Sequence, residues 1–405
     1  MIDHRQLGRE LELFHGDPLI GAGLPIWLPA GAAARHAVEA YIREEERRAG
    51  YRHVYSPPMA KREMYERSGH LPHFADDMFP AMSLSGDDDL VLRPSLCPHH
   101  AMVFAARGRS YRELPLRVAE LGGMYRAERS GVLGGLSRVR AISLNDSHIF
   151  CAPDQVGAEV VSVLALVRRA HAALGFAADR FRLSLRGPDR AYPGEEANWA
   201  RAEGLLRDAL RAEGIEFDEE PGEAAFYAPK IDIQIRDAAG REFTLSTIQV
   251  DFHQPAQFGL SYVDSGGERR RPVMVHRSVV GSFERLFAHL IEVHAGAFPV
   301  WYAPVQAVAL PVDDGQVDAA EAFARAGIEA GLRFEAVAEG SLGSRVREAA
   351  LRRVPYVAVI GAREAASGEV SLRLRDGREL PARPVADAVA LIRAVNDSRS
   401  PDLLP

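Results

Sequence analysis

Cysteine and lysine are both scarce in this chain, with two residues of each among 405. Two cysteines cannot build the disulfide framework typical of small secreted domains. Apolar runs of the ~20 residues that a membrane-spanning helix needs are absent as well. The N-terminal residues lack the basic-then-apolar pattern of a secretory signal peptide. We therefore expect a cytoplasmic protein with no membrane association.

The remaining composition is that of a globular protein large enough for two domains. Hydrophobic residues make up 47% of the chain and charged residues 26%. The net charge of −7 neither indicates nor excludes nucleic-acid binding, because local basic patches make the phosphate contacts. Nearly all basic residues are arginine. The two retained lysines, Lys61 and Lys230, hint at positions where arginine does not serve.

The order of strand and helix patterns divides the chain near residue 298. Before it, we predict strands at 52–56, 114–125, 138–150, 180–185, 230–236, 242–251 and 273–277, with helices at 32–48, 155–174, 192–214 and 281–294. This order favours an α+β domain built on an antiparallel sheet over residues 1–298. From 299 to 405, alternating strands and helices predict a smaller α/β module, with a frayed tail from Ser398.

Cys97 is the first candidate functional residue. It lies in a proline-flanked segment that we predict to be a turn, beside His99 and His100. A thiolate near imidazoles can bind zinc if further ligands come from distant strands. An isolated cysteine is more often a buried thiol that packs as a small apolar group. By itself the segment leaves both interpretations open.

Two short motifs carry further candidates. Period-two alternation puts Leu144, Asp146 and His148 on one strand face, which suits either a metal site or a buried ion pair. Arg126 and Glu128 follow another strand. That pair could hold a phosphate and an adenine amino group, or form a surface salt bridge.

A third motif, Gly281-Ser282-Phe283-Glu284-Arg285, stands where a strand passes into a helix. Glycine permits close approach of the backbone, and the arginine on the first helical turn can face a phosphate chain.

Together these motifs resemble those of class II aminoacyl-tRNA synthetases. Arg126-x-Glu128 is similar to motif 2, the Gly281–Arg285 segment to motif 3, and Pro57 to the proline of motif 1. The closer resemblance, over nearly the whole chain, is to the threonyl-tRNA synthetase family. It includes the segments 3–5, 114–117, 138–140, 148–151, 226–227, 229–230, 273–277 and 351–356. The resemblance implies a class II catalytic domain at 1–298, an anticodon-binding domain at 299–405, and a homodimer.

The resemblance also implies a substrate-chelating zinc. Its ligands would be Cys97, His148 and His276, which leaves a coordination position for the amino group and β-hydroxyl of threonine. Asp146 would bind that hydroxyl, and Tyr227 would lie near the amino group. Valine lacks the hydroxyl and would be rejected, whereas an apolar pocket alone discriminates poorly.

ATP, with Mg²⁺ on its phosphates, is the second implied substrate. Arg126 would hold the α-phosphate and the amino-acid carboxylate, and Lys230 would stand beside the reacting centre. The other implied ATP-binding residues are Glu128, Arg138, Gln249, Ser282 and Arg285. The amino acid would first form an adenylate and then pass to tRNA. Arg126, Lys230 and Arg285 are the implied catalytic residues.

The implied anticodon contacts lie in the C-terminal module. Between residues 341 and 375 there are seven arginines and three glutamates, so the segment is locally basic. Arg345 and Arg352 are seven residues apart and are predicted to share a helix face. With Glu364 and Arg373 they are the candidates for contacting anticodon bases or phosphates.

The sequence also departs from the family pattern. Around the cysteine the family reads Met-Asn-Cys-Pro-Gly-His, whereas this chain has Ser95-Leu96-Cys97-Pro98-His99-His100. Leu144 replaces glutamine, Ala228 replaces glycine, and Thr244-Leu245-Ser246 replaces Gln-Cys-Gly. The His-x-x-x-His of the family's editing domain does not occur, so we expect a short form without the N-terminal regulatory and editing domains.

These departures keep three alternatives open besides threonine ligation. One is a specialised paralogue that tolerates an inhibitor or activates a non-proteinogenic β-hydroxy amino acid. Another is a ligase that loads a carrier protein instead of tRNA. The last is a non-catalytic tRNA-binding homologue, against which the intact set of Arg126, Glu128, Lys230 and Arg285 argues.

Overall fold

The computed structural model describes residues 2–83, 89–188 and 192–405. Within them, the larger part of the chain forms helices α1 His4–Glu10, α2 Pro29–Arg48, α3 Arg62–Arg67, α4 His70–Phe74, α5 Cys97–Ala105, α6 Val156–Leu174, α7 Glu196–Ala212, α8 Gln254–Gln257 and α9 Phe283–Val293. Its strands are β1 Phe14–His15, β2 Ile26–Trp27, β3 Arg52–His53, β4 Met59–Lys61, β5 Met82–Ser83, β6 Asp89–Leu92, β7 Leu116–Tyr125, β8 Ala141–Cys151, β9 Arg180–Leu185, β10 Asp218–Pro221, β11 Lys230–Arg236, β12 Glu242–Asp251, β13 Tyr262–Val263, β14 Arg269–Arg270 and β15 Val273–Ser278.

The central sheet has the strand order β10-β9-β11-β12-β15-β8-β7-β3. Its inner pairs are antiparallel, and only the edge pairs β10–β9 and β3–β7 are parallel. The predicted antiparallel α+β class is thereby confirmed for this part of the chain.

Alternation along β11 shows why the two faces of this sheet differ. Ile231, Ile233 and Ile235 are fully buried in the main hydrophobic core, together with apolar residues of α2, α6, α7 and α9. Burying a side chain of this size contributes about 1.5–3 kcal/mol. Lys230 and Asp232 lie on the opposite face, because successive side chains of a strand point to opposite sides. Helices therefore cover one face, and polar side chains occupy the other.

The C-terminal part forms the helices α10 Val317–Glu329, α11 Leu342–Leu351, α12 Ala362–Ser367 and α13 Val385–Ser398, and the strands β16 Ala307–Pro311, β17 Phe334–Ala336, β18 Tyr356–Ile360, β19 Glu369–Leu374 and β20 Glu379–Pro384. These strands make a mixed sheet with the order β17-β16-β18-β19-β20. Its alternating residues enter two separate apolar clusters, one on each face. The domain boundary at residue 298 stays a prediction.

Two predictions of local structure were wrong. The segment around Cys97 is not a turn: it begins α5, and Pro98 is tolerated there because the first helical turn needs no backbone donor. The tail after Ser398 is not frayed, since Leu403 is buried and its carbonyl accepts a 2.6 Å hydrogen bond from the Tyr356 hydroxyl. None of the helices in the described ranges has the length and apolarity needed to span a bilayer.

Candidate metal and nucleotide site

The register of the central sheet gathers distant polar residues into one row. His276 lies directly opposite His148 across the β15–β8 pair, and opposite Gln249 across the β12–β15 pair. Gln249 in turn lies opposite Lys230 across the β11–β12 pair. Directly opposed residues share a sheet face. Four predicted site residues from four strands therefore stand side by side on the sheet face opposite the main hydrophobic core.

Cys97 reaches this row from the first turn of α5. Its sulfur and one ring nitrogen each of His148 and His276 all lie within 4.8 Å of one another. All three residues are buried. The predicted zinc ligands thus converge, although 179 residues of sequence separate the first from the last.

Hydrogen bonds to the outer ring nitrogens determine how the two imidazoles face each other. His276 Nε2 is 2.8 Å from the Asp251 carboxylate, and His148 Nδ1 is 2.7 Å from His100 Nδ1. His100 Nε2 is in turn 3.2 Å from Glu120 Oε2. If each outer nitrogen bears the proton of its bond, His148 Nε2 and His276 Nδ1 present bare lone pairs to each other.

Those two inner nitrogens are only 3.0 Å apart. Burial, reinforced by the charges of neighbouring histidines, lowers the pKa of His148 well below its ordinary value, so a proton is poorly held there. Two facing lone pairs and a thiol form a donor set that a cation would satisfy. One sulfur and two imidazoles are ligands that zinc prefers. The residues present fit such an ion.

The candidate amino-acid residues border this cluster. Asp146 is buried two residues before His148 on the same strand face, and burial raises the pKa of its carboxyl group. The Tyr227 ring packs against the His276 ring with centroids 5.0 Å apart. Burial raises the pKa of the Tyr227 phenol well above its ordinary value. Both groups can hydrogen-bond a ligand held at the cluster.

Lys230 is held by Asp232, a residue that was not among the predicted site residues. Its ammonium lies 2.7 Å from Asp232 Oδ2. The same oxygen accepts hydrogen bonds from Arg182 at 2.9 Å and from the Ser184 hydroxyl at 2.8 Å. Because Asp232 is 1% exposed, this cluster fixes Lys230 at the end of the polar row. The alternation in Lys230-Ile-Asp232 was the available sequence signal.

The candidate nucleotide residues form a second cluster, in which arginines predominate. Arg138 makes a 2.8 Å ion pair with Glu128, its predicted neighbour in the ATP site. Burial, together with the charges of Arg126 and Arg138, lowers the pKa of Arg285. These three guanidinium groups carry like charges that repel one another. Together they can bind a polyanion such as a triphosphate.

The motif that begins at Gly281 positions Arg285. Gly281 has φ +65°, and a Cβ there would lie 2.3 Å from the Leu245 carbonyl oxygen, so only glycine fits. The Ser282 hydroxyl caps α9 by accepting a 3.1 Å hydrogen bond from the Arg285 amide. Arg285 and Arg138 line a cavity of about 540 Å³ that also includes Phe243.

Gln249, the remaining nucleotide candidate, lies in the polar row rather than in this cavity. Its side-chain nitrogen contacts the Thr247 hydroxyl at 3.4 Å. Its side-chain oxygen is buried and has no hydrogen-bond partner among the described residues. Such an oxygen is costly unless a ligand donates to it.

Some of the positions that depart from the family pattern lie beside the candidate metal ligands, and others do not. The Ser95 hydroxyl lies 2.8 Å from the Cys97 sulfur. Leu96 is fully buried and occupies the space over Gly122. Both ring nitrogens of His99 are buried without a partner among the described residues, and burial lowers its pKa to about 4. The Ser246 hydroxyl turns away from the site and donates a 2.5 Å hydrogen bond to the Val279 carbonyl.

The four anticodon candidates already have partners within the C-terminal part. Arg345 is not on a solvated helix face: it is buried and donates to the Val337 carbonyl at 3.1 Å. Arg352 follows the end of α11 and pairs with Glu335 at 2.9 Å. Glu364 accepts from the Gly361 amide at 3.2 Å, and Arg373 is exposed near Glu379. Contact with an anticodon stays a prediction for all four.

Two known domain families match this chain. The class II tRNA synthetase core domain (G, H, P, S and T) matches residues 82–294. An anticodon-binding domain matches residues 306–395.

Individual relatives show which family of class II synthetases the chain resembles. The threonine–tRNA ligase of Thermus thermophilus is 47% identical over 95% of this chain, and that of Rubrobacter xylanophilus is 48% identical over 92%. The chain spans 59% of the length of each. A crystal structure of the RNA binding domain of threonyl-tRNA synthetase from Cryptosporidium parvum superimposes with a TM-score of 0.92 at 34% identity, covering 97% of this chain and 98% of that one. The chain therefore belongs to the threonyl-tRNA synthetase family of class II aminoacyl-tRNA synthetases.

Proposed function

We propose that this protein ligates threonine to tRNA through a threonyl-adenylate and holds the amino acid on a zinc ion. The observation that carries the proposal is the buried convergence of Cys97, His148 and His276 beside Asp146. When bound there, zinc would supply a Lewis-acidic centre with a position open to the amine and hydroxyl of the substrate.

The protein groups around the cluster support recognition of a β-hydroxy amino acid. Asp146 presents a buried carboxyl group on the face of His148, where it can accept the substrate hydroxyl hydrogen. The Tyr227 ring closes the other side, against His276. Valine would leave these polar groups unpaired in a desolvated pocket. A penalty of that kind discriminates far better than a missing contact in an apolar pocket.

Activation would take place between the two clusters. A carboxylate oxygen of the amino acid attacks the α-phosphorus of ATP, the bond to the bridging oxygen breaks, and pyrophosphate leaves. Arg126 would orient both reacting groups, and Arg138 and Arg285 would bind the outer phosphates, with Mg²⁺ as counter-ion. Lys230, fixed by Asp232, would stabilise the charge that develops in the transition state.

The second half-reaction would pass the activated amino acid to the terminal ribose of tRNA. The match to an anticodon-binding domain over residues 306–395 supports tRNA as the acceptor. By the same family resemblance, we propose a homodimer as the working form.

A second candidate, activation of a different β-hydroxy amino acid, rests on the altered residues near the metal ligands. Leu144 lies on the same strand face as Asp146 and His148, where the family pattern has glutamine. Leu96 fills the space above Gly122, beside the cysteine. An apolar side chain at these positions removes hydrogen-bonding capacity from the pocket and favours a substrate with different polar groups.

The deciding experiment is amino-acid-dependent ATP–pyrophosphate exchange on purified protein whose zinc content has been measured. Threonine should give the highest kcat/KM among threonine, serine, valine and a panel of non-proteinogenic β-hydroxy amino acids. Highest turnover with another member of the panel would establish the second candidate instead. Exchange with none of them, in zinc-loaded protein, would contradict both and favour a non-catalytic tRNA-binding role.

A further inference from the structure

The Ser95 hydroxyl makes a contact that the proposed reaction does not use. Its oxygen lies 2.8 Å from the sulfur of Cys97, two residues along the chain. The same oxygen lies 3.4 Å from the backbone nitrogen of Cys97 and accepts a hydrogen bond from it. Ser95 is partly buried and directly precedes the turn into α5.

The direction of the hydroxyl bond follows from the chemistry of a metal-bound cysteine. A thiolate that binds a metal carries no hydrogen, so the sulfur can only accept. The backbone N–H of Cys97 already points at a lone pair of the serine oxygen. The hydroxyl hydrogen is therefore free to point at the sulfur, and with a metal bound to Cys97 the short contact would be an O–H···S⁻ hydrogen bond.

We propose that Ser95 is a positioning residue that tunes the metal through the sulfur of Cys97. This inference rests on the zinc site of the proposed function. Donation of a hydrogen bond withdraws electron density from the thiolate and leaves the metal a stronger Lewis acid toward the amino acid. Methionine, which the family pattern has at this position, offers no hydrogen to the sulfur.

Two measurable properties of the metal–sulfur bond follow. A hydrogen bond stabilises the sulfur lone pair, so it raises the energy of the sulfur-to-metal charge-transfer transition seen when cobalt(II) replaces zinc. It also makes the bound thiolate a weaker nucleophile toward an alkylating reagent. Neither property depends on catalytic turnover.

The test compares cobalt(II)-loaded wild type with S95A and with the matched pair S95T and S95V, of which only S95T keeps a hydroxyl. S147A is the control, because Ser147 is a buried neighbour of His148 whose hydroxyl has no partner among the described residues. Circular dichroism establishes that each variant is folded. The ultraviolet charge-transfer band and the rate of alkylation by iodoacetamide are then measured.

The expected result is a band shifted to longer wavelength and severalfold faster alkylation in S95A and S95V, with S95T and S147A close to wild type. Unchanged spectra and rates in S95A and S95V would overturn the inference while leaving the zinc site intact. Failure of the wild type to bind one equivalent of metal would instead refute the zinc site itself.

Discussion

The two largest sheets in the described residues differ in where they place polar side chains. The five-stranded C-terminal sheet buries an apolar cluster on each face, and its candidate residues pair locally around it. The central sheet covers one face with helices and leaves on the other a row that runs from Lys230 to His148. In that row two imidazole nitrogens face each other at 3.0 Å, and a glutamine oxygen has no partner among the described residues.

The difference lies in how many buried polar groups each sheet leaves without a partner. A buried polar group without a partner costs about 1–3 kcal/mol, so a fold tolerates several of them together only where a ligand completes them. Exposed ion pairs such as Arg373–Glu379 carry no such cost and need no ligand. The unpaired Gln249 oxygen and the two facing imidazole nitrogens thus mark the site more clearly than any charged surface does.

The strongest test of this contrast is removal of a metal ligand. We expect H276A to lose the bound zinc and to lower ATP–pyrophosphate exchange by about a thousandfold, since a Lewis acid contributes several kcal/mol. Zinc content by atomic absorption and exchange rates would check both effects. The S147A variant, altered beside His148, should keep its metal. Full activity of H276A without zinc would contradict the proposed site.

The next test concerns the retained lysine at the other end of the row. K230A should lower kcat of the exchange reaction by about 100-fold, the usual effect of removing one preorganised donor. K230R should recover little, because a planar guanidinium cannot occupy the geometry that Asp232 imposes on the ammonium. Steady-state exchange with varied ATP would separate kcat from KM. Wild-type kcat in K230R would show that any cation suffices there.

The covered face of the same sheet offers a stability test. His171 on α6 lies 3.0 Å from the Ser246 hydroxyl, and burial lowers the pKa of its imidazole to about 4. Its folded-state pKa is thus below the unfolded value of ~6.5. The resulting stability is present above pH ~6.5 and is lost as the pH falls toward 4, by about 3 kcal/mol in all.

H171Q keeps a hydrogen-bonding side chain but cannot titrate. Its free energy of unfolding, measured by urea denaturation between pH 7 and 4, should therefore fall less steeply than that of the wild type. Parallel curves for the two proteins would show that His171 does not contribute to the pH dependence.

The smallest effects are expected in the C-terminal part. R352A and R373A should change the free energy of unfolding by less than about 1 kcal/mol, because both residues make surface ion pairs. If they contact tRNA, the KM for tRNA should rise severalfold while ATP–pyrophosphate exchange stays unchanged. An equal fall in exchange would show that these residues affect the catalytic part of the chain, which would contradict the difference between the two sheets.

Much of the fold was predictable, because local patterning determines elements such as β9, β11 and β12, whose predicted bounds match those found. Alternation also placed Asp146 and His148 on one face. The pattern could not reveal Asp251 and His100 as partners of the candidate metal ligands, or Glu120 as the partner of His100, since these contacts join residues 20 to 48 positions apart. The burial of Arg345 was not predictable for a related reason: spacing identifies a helix face but not whether that face is buried.

Local sequence accounts for most of the strands and helices, the family motifs and the types of ligand available, because each depends on residues close together in the chain. Only the packing of distant segments brings Cys97, His148 and His276 together, orients each imidazole and sets the Ser95 hydroxyl against the sulfur. Strand register controls these outcomes: a slip of one residue would turn every polar side chain of a strand to the helix-covered face. The site forms because the strands β8, β11, β12 and β15 pair in this register and α5 adds Cys97 beside them.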